Sequence, residues 1–89
     1  MAAQAEEKLI GRIIHYYSHL GVGIIELTEG ELKVGDVIHV KGTHTDFRQT
    51  VDSIQLEHHS VSRAEQGKSA GVRVKEKVRE HDWVFRISE

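Results

Sequence analysis

The stretch Gly30-Glu-Leu-Lys-Val-Gly-Asp-Val-Ile-His-Val40 decides how this chain folds. A charged turn on Gly30 leads through Lys33 and Val34 into Gly35-Asp36, which opens a short alternating strand. Gly35 supplies backbone freedom where a bulky residue would be strained, and Asp36 can close the turn with a local side-chain hydrogen bond. Beyond it Ile38 and Val40 face one way and Val37 and His39 the other, the period-two pattern of a strand. Ala64-Glu-Gln-Gly-Lys-Ser-Ala-Gly-Val-Arg-Val74 repeats the order of turn glycine and then strand. Val78-Arg-Glu-His-Asp-Trp-Val-Phe85 does so once more, with Asp82 in the place of Asp36.

Working outward, the apolar positions recur with period two in short runs separated by glycine or charged turns. Strands are predicted over residues 8–17, 22–27, 36–41, 47–56, 69–75 and 83–87. In the fifth, Ala70, Val72 and Val74 alternate with Gly71, Arg73 and Lys75, so the arginine and lysine project outward. Phe47 and Val51 share one phase and Ile54 and Leu56 the other, which predicts a bulge near Asp52-Ser53. Both phases are apolar in residues 22–27, as in a strand covered on both sides. Phe47 and Trp83 are assigned to the core. Many short strands with glycine corners in a small chain point to an all-β domain, a small closed six-stranded antiparallel barrel of Greek-key type. Residues 8–89 form that barrel, and residues 1–7, polar and alanine-rich, are a frayed lead-in.

Composition narrows the function classes. With 89 residues the chain is one domain, and 38% hydrophobic content rich in isoleucine and valine favours strands over helices. No cysteine is present, so disulfides and thiolate metal sites are excluded. No 18-residue apolar run or basic-then-apolar leader occurs, so no membrane association and a cytoplasmic location are expected. The formal charge of −2 is unevenly placed: residues 68–79 hold five bases (Lys68, Arg73, Lys75, Lys77, Arg79) against Glu76. That run carries +4 and leaves −6 on the rest.

Motifs for chemistry are weak. Gly67-Lys68-Ser69 lacks the glycine five positions earlier that a phosphate loop needs, since position 62 is serine, so no nucleotide is expected. Seven histidines (15, 19, 39, 44, 58, 59, 81) include no His-Glu-x-x-His arrangement, and surface or turn positions without metal are expected for them. No serine sits in a Gly-x-Ser-x-Gly elbow, and the carboxylates are dispersed through turns. The expectation is a non-enzyme without cofactors. The basic run is the functional candidate: Lys68, Arg73, Lys75, Lys77 and Arg79 as phosphate contacts, with Tyr16 or Tyr17, one of which must face outward, as a stacking surface.

The order of the Gly-Glu-Leu-Lys-Val-Gly-Asp, Ala-Glu-Gln-Gly-Lys-Ser-Ala-Gly-Val and Arg-Glu-His-Asp-Trp-Val runs resembles the second domain of elongation factor Tu and its relatives. The resemblance covers nearly the whole chain but no GTPase domain. It implies a six-stranded translation-factor barrel, a family in which such barrels hold the aminoacyl end of tRNA or lean on ribosomal RNA. Similar barrels occur as short stand-alone proteins and beside collagenase-like peptidase domains. Two expectations follow. The first is a non-catalytic translation elongation factor-like module binding RNA, tRNA or the ribosome through the basic face. The second is a protein-docking module for a separately encoded GTPase or collagenase-like peptidase partner.

Overall fold

The strand that opens at Val37 turns Ile38 and Val40 into the core, where both are fully buried, and leaves Lys41 exposed. The turn before it forms as its residues dictate. Asp36 Oδ2 accepts from the Lys33 amide at 2.9 Å, the Asp36 amide donates to the Lys33 carbonyl at 3.1 Å, and Gly35 has φ 98°. A positive φ at the third position defines a type II turn and selects glycine.

The structure is a computed structural model and describes residues 6–88; residues 1–5 of the expected lead-in, and Glu89, lie outside them. The described residues are all-β, in ten antiparallel strands: β1 Glu6–Tyr17, β2 Val22–Leu27, β3 Leu32–Lys33, β4 Val37–Lys41, β5 Asp46–Thr50, β6 Ile54–Leu56, β7 His59–Val61, β8 Arg63–Ala64, β9 Ser69–Arg73 and β10 Trp83–Ser88. Eight form one sheet in the order β5-β4-β10-β1-β2-β9-β6-β7, and β3 pairs with β8 apart from it. β1 is long because it serves two partners, its first part pairing with β10 and its second with β2. Register shifts between Leu9 and Gly11 and between Ile13 and His15 bend it between those tasks.

The core is the concave side of this sheet. Ile10, Ile13, Ile25, Leu27, Ile38, Val40, Val72 and Val84 are fully buried there, joined by Leu32 from β3 and Val78 from the segment before β10. At roughly 25 cal/mol per Å² of apolar surface removed from water, these side chains are the main source of stability.

The expectations for one strand span and for two side chains need correction. The span 47–56 is two strands, because Val51 is diverted: its amide donates to Asp36 O and its carbonyl accepts from the Gly35 amide, both at 2.8 Å. Phe47, Val51 and Ile54 are all buried across that break, which does the work foreseen for a bulge. Among the described residues no backbone ladder joins the end strands β5 and β7, so strand pairing does not close the sheet on itself. Trp83 is outside the core, 49% exposed, because Val84 takes the inward position of β10 and alternation turns Trp83 and Phe85 outward.

The last correction concerns His39, expected at the surface and found only 6% exposed. Its Nδ1 lies 2.6 Å from Glu7 Oε1 and its Nε2 2.5 Å from Asp46 Oδ1, while Arg48 donates to Glu7 Oε2 at 3.0 Å. Both ring nitrogens thus face carboxylate oxygens at hydrogen-bond distance, and the imidazole is held between two acidic side chains. The cluster ties β1, β4 and β5 together across the outer face of β10.

Candidate docking surface

Register places a second set of apolar residues on the outer face of β1, β2 and β9. Tyr17, Val22 and Arg73 form one row, and His15, Ile24, Gly71 and Gln55 the next. Paired residues share a face, so these side chains lie next to each other on the outer surface, opposite the core row of Ile13, Ile25 and Ala70. Tyr17 is 48% exposed and its ring meets His15 edge-on, with ring centres 4.3 Å apart. Leu20 is 65% exposed at the tip of the β1–β2 turn. That turn is closed by the amides of Leu20 and Gly21, which donate to Tyr17 O at 3.1 and 2.9 Å.

The far wall is the two-residue turn Glu57-His58 between β6 and β7, with φ 50° and 70°. Two consecutive left-handed residues make a type I′ hairpin turn, a geometry that Asn-Gly would adopt with less strain. Together Tyr17, Leu20, Val22, Ile24 and this turn enclose a shallow concavity of about 330 Å³. Its floor is aliphatic, so what it can do is bury apolar surface of a partner.

The predicted basic residues do not converge on one face. Lys68 sits in the turn before β9, where its carbonyl accepts from the Leu27 amide at 2.9 Å. Arg73 ends β9, about 16 Å away by strand rise. Lys75 stands 6.0 Å from the centre of the Phe47 ring, and its amide donates to Gln49 Oε1 at 2.8 Å. Lys77 borders the β4–β5 turn, and Arg79 opens the turn into β10. Of the two tyrosines, Tyr16 is half-buried against the core and Tyr17 is the outward one. Of the predicted set, Arg73 shares a row with Tyr17 through Val22 and borders a groove with Lys75 beside Gln49.

Electrostatics at the His39 cluster also differ from what the sequence implies. Hydrogen bonding to His39, and for Glu7 also to Arg48, holds the carboxyls of Glu7 and Asp46 below the ordinary carboxylate range. Carboxyls shifted that way are poor proton donors near neutrality. Among the described residues no group of three or more His, Asp or Glu side chains is placed to hold a metal ion. No helix among them is long and apolar enough to cross a membrane.

Comparison with known proteins gives this surface its context. No protein-family model matches the chain. It is similar to a collagenase of Porphyromonas gingivalis, 37% identical over 83 residues that cover 92% of this chain and 23% of that protein. It is likewise 37% identical to a collagenase of Porphyromonas gingivalis strain W83, over 86 residues covering 96% of this chain and 21% of the relative. An uncharacterized protease of Methanocaldococcus jannaschii is 37% identical over 81 residues, 90% of this chain and 20% of that one. The chain thus spans about a fifth of the length of the curated relatives it matches.

Among solved structures it resembles the C-terminal domain of a Geobacillus thermoleovorans protein assigned to the U32 peptidases. The TM-score is 0.82 at 16% identity, covering 89% of this chain and 91% of that one. The selenomethionine form of the same domain gives a TM-score of 0.81. These findings overturn the translation-factor resemblance and the RNA-binding, elongation factor-like reading drawn from it: the relatives are collagenases and a protease. With that reading goes the reason for assigning Lys68, Arg73, Lys75, Lys77, Arg79, Tyr16 and Tyr17 to RNA or the ribosome. The turn-glycine-strand landmarks that carried it specify a way of turning corners, which many functions share.

Proposed function

We propose that this chain is a non-catalytic docking domain for a collagenase-type peptidase domain, engaged through Tyr17, Leu20, Val22 and Ile24. The observation that carries the proposal is the uncovered apolar surface on the outer side of β1 and β2, in a chain whose curated relatives are collagenases about five times its matched length. An exposed apolar patch rimmed by polar groups marks an interaction site. The peptidase takes the place of the GTPase that the sequence alone left equally open.

Part of the proposal is that the wrapped sheet works as a closed six-stranded barrel. The six strands of five or more residues follow one another as β5-β4-β10-β1-β2-β9. Between the first and the last, the Gln49 side chain donates to Arg73 O and accepts from the Lys75 amide, both at 2.8 Å. An amide side chain thereby substitutes for one rung of a missing ladder. A closed cylinder presents a rigid outer face, which limits the ordering cost of docking.

The test is titration calorimetry of this chain against a collagenase-type peptidase domain from which the matched segment has been removed. We expect binding that the double substitution Tyr17→Asp, Leu20→Asp weakens by about tenfold or more, as for aromatic and aliphatic anchors of an interface. No complex at high micromolar concentration, or one indifferent to these substitutions, overturns the proposal.

A further inference from the structure

A different surface, sharing no residue with the docking face, is built around Trp83. The same turn occurs three times in this molecule. Over residues 33–36, 65–68 and 79–82 the fourth amide donates to the first carbonyl at 3.1 Å in each case. The third residue has φ 98°, 94° and 77° respectively. It is glycine in the first two, Gly35 and Gly67, and in the last it is His81. A side chain at that position costs backbone strain that glycine avoids, and strain retained at one of three equivalent turns points to a use for the side chain.

His81 borders a groove of about 620 Å³ whose other walls include Lys41, His44, Arg79, Trp83 and Phe85. The groove is pre-formed. Asp82 Oδ2 accepts from the Arg79 amide at 2.8 Å, while its other oxygen fills the space that a Cβ at position 42 would need. Gly42 therefore lets the β4–β5 turn interlock with the turn over 79–82, and its own amide donates to Thr45 O at 2.7 Å. Trp83 is flanked on β4 by Lys41, its register partner. Among the described residues neither Lys41 nor Arg79 makes an ion pair with a carboxylate. Glu80 lines the rim, and Asp46, the register partner of Lys41 on β5, lies beyond Lys41 and is bonded to His39.

We propose that this groove binds an extended acidic peptide segment, with a proline or aromatic ring lying on Trp83 and flanking carboxylates on Lys41 and Arg79. An exposed indole between two cations that make no ion pair is complementary to a flat apolar residue bracketed by negative charge. His44 and His81 close the two ends with further hydrogen-bond donors.

Trp83 is the single tryptophan of the chain, so its emission reports on the groove alone. The probe is acetyl-Asp-Glu-Pro-Phe-Glu-Asp-amide, titrated beside a counterpart with lysine at every acidic position. We expect saturable change in Trp83 emission with the acidic peptide, at least fivefold tighter than with the lysine peptide and weakened at least threefold between 50 and 300 mM salt, as pairing between exposed charges requires. Lys41→Glu with Arg79→Glu should reverse the preference between the two peptides. Equal response to both peptides, or no response to either, overturns the proposal. Both of those readouts use the unaltered chain and stand even if the charge-reversed variant fails to fold. The docking reading is tested with a different partner at a different face, so either proposal can fail without the other.

Discussion

Two parts of the same outer sheet surface carry apolar side chains, and they are finished differently. On β4, β10 and β1 the outward residues Val37, Ile87, Phe85 and Leu9 are half-buried, beside a polar strap of Glu7, His39, Asp46 and Arg48. On β1, β2 and β9 the outward residues Tyr17, Leu20, Val22 and Ile24 have no such strap, and the first two are about half or more exposed. The outward row of β10 ends on Trp83, which is 49% exposed beyond the clamp, whereas the face of β1 and β2 has no clamp at all. The contrast singles out the surface proposed for docking better than charge counting does, because charge counting selected a run that the fold disperses.

The largest effect is expected beneath both faces. Ile25 is fully buried on β2, and Ile25→Ala should cost about 2–5 kcal/mol in urea unfolding, through lost burial and the cavity left behind. Such a loss is a large share of the stability of a domain this size. It would remove docking along with the fold, and so serves as the reference against which the surface variants are judged.

The clamp comes next. His39→Leu should lower stability by roughly 1–2 kcal/mol at neutral pH, since an isolated pair of carboxylates replaces a bridged one. The pH dependence has a definite sign. Glu7 and Asp46 have folded-state pKa values below their ordinary ones, so the stability they contribute is present above the ordinary carboxylate range. It is lost as pH falls below about 4 and through the lowered values. The gap in stability between wild type and His39→Leu should therefore narrow under acid, read as converging thermal midpoints. A gap that stays constant from pH 7 to pH 3 would mean the clamp carries no charge-dependent energy and the two faces differ only in shape.

For the bare face the prediction is dissociation of stability from binding. Leu20→Asp should change folding stability by no more than about 0.5 kcal/mol, as for an exposed side chain that supports no other group. The same substitution placed on the clamped face, Phe85→Asp, should destabilise the fold measurably, because Phe85 is half-buried beside His39 with ring centres 6.2 Å apart. Comparable losses at both positions would erase the distinction between the faces.

How far the sequence anticipates this arrangement depends on the reach of each interaction. The alternation in β4 and β9 is local and reads directly, and so does the Asp36 turn, where donor and acceptor are three residues apart. β3 and β8 are two residues each, too short to show any period. Glu57-His58 carries none of the glycine or asparagine that announces a two-residue hairpin. Trp83 misleads because side-chain bulk argues for the core, whereas alternation from Val84 places it outside. His39 meets partners 32 and 7 residues away, a juxtaposition made by strand order alone. The docking face was half visible: one of Tyr16 and Tyr17 had to be outward, but that Leu20, Val22 and Ile24 join Tyr17 follows only from the β1–β2 and β2–β9 registers.

Opposite changes at two matching turns separate a turn kept for folding from one kept for use. Gly67→Ala places a methyl group at φ 94° and should destabilise by about 1 kcal/mol, the ordinary cost of a left-handed non-glycine residue, although nothing lies within 4 Å of the added carbon. His81→Gly is the reverse change at the matching position. Relief of the left-handed conformation is offset in part by the greater freedom of glycine in the unfolded chain, so a net gain near 0.5 kcal/mol is expected, about 2–4 °C in thermal midpoint. The same variant should bind the acidic probe peptide more weakly than wild type does. A molecule that becomes more stable and less able to bind when His81 is removed is holding strain at that turn for the groove; a loss of stability instead would assign the imidazole to the fold, and the three turns would then differ for structural reasons alone.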